Sequence, residues 1–165
     1  MELSRSHSIT LTDLVVDAAE VGGPDFYLGR WGFLPGGIGV AAVWAGGCAR
    51  VADVVEAAVP SPRRSSAQLV RWGRVRTDLA VAAALCRAAP AALEGADAHQ
   101  ASIVATEVRA GVAAAARRLL DEARSVAGPA GLAFVEDVIR AVDDLSLYIA
   151  QQNADADAGR LGGMP

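Results

Sequence analysis

Residues 98–127 read AHQASIVATEVRAGVAAAARRLLDEARSVA, and Gly128 and Pro129 follow. Val104, Val108, Gly111, Ala115, Leu119 and Val126 recur at helical spacing, so they share one face of an α-helix while arginines and carboxylates take the rest of its circumference. The Gly-Pro pair ends the pattern, because glycine accepts a left-handed turn and proline offers no backbone N–H. A stripe this long needs apolar partners, and the chain supplies them on both sides.

Upstream, Ser65 or Ser66 caps a second helix with the stripe Leu69, Trp72, Val75, Leu79, Ala82 and Cys86, stopped by Pro90. Before that, about residues 37–59 form a helix with Val40, Trp44, Gly47, Val51 and Val55 on one face, halted by Pro60 and Pro62. Its first half is apolar nearly all round, which predicts the most buried element of the fold. Downstream, a fourth helix begins near Gly131 and carries Val135, Val138, Ile139, Val142, Leu145 and Ile149. The pattern predicts an all-α protein: an antiparallel four-helix bundle over residues 36–153, with Ala- and Gly-rich faces that allow close approach. Residues 1–35 hold a short strand, SITLTDLVV (8–16), and a Gly/Pro-rich connector, VGGPDFYLGRWGFLPGG (21–37). Residues 154–165 are small and acidic, and a flexible, fraying tail is expected there.

Composition narrows the function classes. A chain of 165 residues with 53% hydrophobic and 21% charged residues has the makings of one domain with a core. All 15 basic residues are arginines, scattered among 19 carboxylates for a net charge of −4, which argues against a nucleic-acid partner. Cys48 and Cys86 belong to no C-x-x-C pair and fall at apolar helical positions, the pattern of free buried thiols in a reducing cytoplasm. The amino-terminal MELSRSHSITL has no signal-peptide core. Residues 31–49 are uncharged and near spanning length, but six glycines and Pro35 speak for a loop leading into a core helix, and no membrane partner is expected.

Candidate chemistry is sparse. His7 and His99 are the only histidines, so neither a metal centre nor a nucleophile triad is expected, and His99 suits a cap or a surface. The carboxylate pairs Asp143–Asp144 and Asp155–Asp157 read as solvated. Gln151, Gln152 and Asn153 are the one unusual polar cluster. Helical phase sets Gln152 on the stripe of Leu145 and Ile149, where it either lines a pocket or marks the polar end of the bundle.

Four stretches, in order, carry a resemblance to a known family: GGPDFYLGRWGFLPGGIGVAAVWAGG (22–47), PSPRRSSAQLVRWGRVRTDL (60–79), SVAGPAG (125–131) and IRAVDDLSLYIAQQ (139–152). Together they resemble the carboxy-terminal helical domain of flavin-dependent acyl-CoA dehydrogenases, in a divergent, short bacterial form. The likeness covers almost the whole chain but less than half of a usual family member, and it lies in the order and spacing of the motifs. It implies FAD contacts from Arg63 or Arg64 and from Gly128 and Gly131, in place of the family's arginine loop and glycine turn; the alternative for both arginines is a solvated loop. It implies Tyr148 and Gln152 as substrate-pocket candidates. It also implies a missing catalytic base: Ile149 stands where the family has its glutamate, and only Ile38, Val40 and small neighbours occupy the other place where members carry it. No catalytic residue is therefore assigned. The expectation is a helical subunit, inactive alone, that completes a flavin-dependent oxidoreductase with a longer acyl-CoA dehydrogenase-like chain and meets FAD only in that complex. The alternative is a flavin-free helical module for binding or oligomerisation.

Overall fold

The computed structural model describes residues 8–24, 26–27, 29–30 and 32–163. Its regular elements are helices α1 (Phe33–Ala58), α2 (Ser66–Leu93), α3 (Ala98–Phe134), α4 (Glu136–Ile149) and α5 (Ala154–Leu161), with single 3-10 turns at Ala18–Glu20 and Ser61–Arg63. The fold is all-helical among the described residues.

Local chemistry sets the helix starts. Ser65 Oγ accepts from the Gln68 backbone N–H at 3.3 Å and the Gln68 side chain accepts from Ser65 N at 3.0 Å, a reciprocal cap that opens α2. Asp97 and Gln100 repeat the arrangement at the start of α3, at 2.8 and 3.2 Å. His99 is thus an exposed first-turn residue while Asp97 does the capping. Helix α1 starts at Phe33, earlier than the glycines suggest, with no side-chain cap. Pro35 falls in its first turn, where backbone N–H groups have no helical acceptor and proline costs little. Pro90 is likewise carried inside α2, which ends only at Leu93.

The Gly128 break is where the spacing puts it. Gly128 has φ 65° and ψ 179°, which interrupts α3; the chain resumes helical geometry to Phe134, and α4 starts at Glu136 rather than near Gly131. Such a break strips carbonyls of the preceding turn of their helical donors. Gln68 supplies one replacement, donating Nε2–H to the Val126 carbonyl at 2.9 Å, and so ties the start of α2 to the end of the long helix.

Helix α3 is the centre of the fold. It packs on α1, α2, α4 and α5, and α1 also meets α2 and α4. Leu119, Val112 and Val126 of α3 are fully buried with Trp44, Val51 and Val55 of α1, Val75 of α2, and Val138 and Ile149 of α4. Close approach depends on glycine at two points: a Cβ on Gly47 would sit 2.8 Å from Leu145 Cδ1, and one on Gly111 would sit 2.7 Å from Leu85 Cδ1. Across α2 and α3, Arg118 donates Nε–H and Nη2–H to Asp78 Oδ1 at 2.9 and 2.7 Å, and Arg71 and Arg74 each reach Glu122 at 3.0 Å. The hydrogen bond from Arg74 holds the Glu122 carboxyl below its usual range, with Arg71 adding to it.

Three expectations are corrected. The most buried element is α3 and not α1, whose Gly36, Gly39, Ala42, Val43 and Gly46 are exposed; small residues raise hydropathy without marking which side meets the core. Helix α1 is still long and apolar enough to suit a membrane span by length and composition, with Trp44, Cys48 and Val51 committed to the core. Residues 8–16 form no strand: the segment has no β-ladder partner among the described residues, and Ile9, Leu11 and Val15 are exposed. The tail expected to fray instead forms α5, because Asn153 Oδ1 accepts from Ala156 N at 3.0 Å and Asp157 turns inward to a polar partner.

Candidate functional site

Several buried polar groups collect where the beginning of α1, the first half of α3 and the α4–α5 junction meet. Gln152 is 5% exposed and donates Nε2–H to Asp157 Oδ2 at 2.7 Å, while its own Oε1 has no partner. Asp157, also buried, faces Arg109 of α3 with an N–O separation of 3.8 Å, too long for a strong charge-assisted hydrogen bond. Arg109 Nε carries a buried N–H with no acceptor. The same is true of Trp44 Nε1, on a residue of zero exposure whose ring takes the edge of Tyr148 at 6.2 Å between centroids. Native proteins pair nearly all such groups.

Beside this cluster lies a half-open groove of about 620 Å³. Trp44, Val40 and Phe33 of α1 and Tyr27 of the connector form its apolar wall, and Arg109, Arg30 and Gln151 its polar rim. Tyr27 and Phe33 meet edge to face at 5.2 Å, and the Arg30 guanidinium stacks on the Tyr27 ring at 4.2 Å while donating to the Tyr27 carbonyl at 3.2 Å. The Arg109 stem can lie against α1 only because residue 37 is glycine: a Cβ there would meet Arg109 Cδ at 2.7 Å. Two guanidinium groups and no carboxylate, histidine or cysteine line the groove among the described residues. It therefore offers apolar contact and positive charge, with no proton acceptor of carboxylate or imidazole type.

The residues singled out by sequence divide between two ends of α3. Gln152 belongs to the buried cluster and is neither a groove wall nor a solvated helix end; the neighbouring Gln151 lines the groove. Tyr148 is half-buried behind Trp44, and Ile149 is buried in the core with Leu145. Arg64 is enclosed: its side chain ion-pairs with Glu56 at 2.7 Å, donates to Ser61 Oγ at 3.2 Å and stacks on Trp72 at 3.9 Å. Arg63 is exposed and donates to the Ala58 carbonyl at 3.3 Å. Gly128 supplies the left-handed break, and Gly131 is buried against Ala127, with 2.9 Å from an added Cβ to the Ala127 Cβ. The Gln68–Val126 bond puts the arginine loop near that break. Val126 lies 17 residues beyond Arg109 on α3, or about 25 Å along the axis at 1.5 Å per residue. The arginine loop and the groove are two separate places.

Other candidates separate as well. His7 lies outside the described residues, and no group of three His, Cys, Asp or Glu suited to a metal occurs among those described. Cys48 and Cys86 are free thiols, and burial pushes Cys48 up to about 12. Asp143 and Asp155 are exposed as expected, whereas Asp144 is half-buried and Asp157 buried. The sequence placed Trp44 in the core, read Asp157 as solvated, which its burial overturns, and assigned no role to Arg109. The one local signal was the Gly36-Gly37 pair ahead of an aromatic helix face, which leaves room for a long side chain from elsewhere. Comparison of the chain with protein-family models, with curated proteins and with solved structures gave no match.

Proposed function

We propose that this chain is a non-catalytic, flavin-free binding module, an antiparallel four-helix bundle closed at one end by α5. The observation that carries this reading is the groove itself: about 620 Å³, within the usual range for small-molecule sites, walled by aromatic rings and rimmed by guanidinium groups with no carboxylate, imidazole or thiol among its described lining residues. A fragment screen read by NMR tests it. Chemical-shift changes should cluster at residues 33–44 and at Arg109, and should vanish in Gly36→Phe, which fills the mouth from a position where an added Cβ meets nothing within 4 Å. A screen with no hits, or hits indifferent to Gly36→Phe, would defeat the module reading.

One observation favours the second reading, a helical subunit completed by a longer acyl-CoA dehydrogenase-like chain. Residues 8–16 are irregular and expose Ile9, Leu11, Leu14 and Val15, the kind of surface a partner β-domain would cover. Against a flavin role for Arg64 stands its engagement by Glu56 and Trp72. Co-purification of the native assembly decides between them: a longer chain with bound flavin favours the subunit, and a flavin-free preparation favours the module.

A further inference from the structure

Resting on the reading of the groove as a binding site, we propose that its ligand is a small monocarboxylate with an apolar body, the carboxylate seated on Arg109 and the body against Trp44, Val40 and Phe33. Arg109 is a cation that its described partners leave incompletely satisfied. Its carboxylate neighbour among the described residues, Asp157, stands at 3.8 Å and already accepts a 2.7 Å hydrogen bond from Gln152, and the Arg109 Nε–H has no acceptor there. A half-buried guanidinium in that condition gains from a planar, two-oxygen acceptor, which matches its fork. Trp44 contributes its ring to the wall, and its own indole N–H, enclosed at zero exposure, is likewise without a partner. Gly37 leaves the space in which the Arg109 stem lies, and Arg30, also lining the groove, adds a second positive charge. No described lining residue of the groove is acidic; the carboxylate beside Arg109 is Asp157, which is buried and already bonded to Gln152. Phosphate esters fit less well, because most of the wall is apolar and a dianion needs more donors than the rim offers.

The probes are 3-phenylpropanoate and its neutral amide, titrated calorimetrically into the full chain and its variants. The acid should bind roughly 10-fold or more tightly than the amide, the scale of a charge-assisted pair. Arg109→Gln should erase that preference and Arg109→Lys should keep part of it. Gly37→Ala, whose Cβ displaces the Arg109 stem, should weaken the acid and spare the amide. Gly36→Phe should abolish both. If Arg109→Gln does not fold, Arg109→Lys and Gly37→Ala read the same contact. Equal binding of acid and amide would overturn the carboxylate assignment and leave the module reading standing, as would fragment hits in the groove with neither probe bound. Loss of all fragment binding would instead remove the reading on which the inference rests.

Discussion

Replacing Arg64 by alanine tests how the arginine loop is used. The substitution removes stacking on Trp72, about 1 kcal/mol for a partly desolvated cation on an indole, and an ion pair to a Glu56 that is 45% exposed, about 0.5 kcal/mol. It also strips two buried methylenes, about 1.6 kcal/mol. Against these, the buried Arg64 Nε–H has no acceptor, and releasing it returns about 1 kcal/mol. The net expectation is a loss of about 2 kcal/mol, or a fall in Tm of about 4–8 °C at this chain length. Arg64→Met keeps the apolar stem and should cost under about 1 kcal/mol, while Arg63→Ala, on the exposed side, should stay within about 0.5 kcal/mol. Urea and thermal unfolding followed by circular dichroism, with FAD absent and then present, measure all of this. Equal stabilities for Arg64→Ala and Arg63→Ala would refute the structural role, and an FAD-dependent rise in Tm that disappears with Arg64→Ala would establish flavin contact instead.

Ile149→Asp should lower stability by about 3–5 kcal/mol, because it sets an unpaired charge beside Leu145 in the core, and urea unfolding against Ile149→Val reports it. Asp157→Ala should detach α5, raising amide exchange across 154–161 while α3 keeps its protection; unchanged exchange would mean that the Gln152–Asp157 bond does not hold the helix. Cys48, pushed up to about 12 chiefly by burial, should resist alkylation at pH 8 until the protein unfolds. The folded value lies above the ordinary thiol value of 9.0, so below pH 9 both states keep the proton and the pH leaves stability alone; between 9 and 12 the unfolded thiol ionises while the folded one does not, and stability falls. Cys48→Ala should flatten that alkaline slope.

Much of this fold was written in local pattern. The stripe from Val104 to Val126, the stripe ending at Ile149, the Ser65 cap and the break at Gly128 follow from a 3.6-residue period and from what serine, glycine and proline do to a backbone within a few residues. The expected strand at 8–16 failed for the converse reason: β structure needs a partner, and alternation of Ile9 and Leu11 says nothing about whether one exists. Only tertiary packing could decide the rest. Which helix became central turned on how faces of alanine and glycine met, and such residues look alike on either side of a helix. Arg64 found Glu56 and Trp72, Arg118 found Asp78 across 40 positions, and Arg109 came to lie against Gly37 with Asp157 at its end. The groove belongs to that class: its wall comes from α1 and the connector, its cations from α3 and the connector and its Gln151 from the turn after α4, and no spacing within any one helix records that packing brings them together.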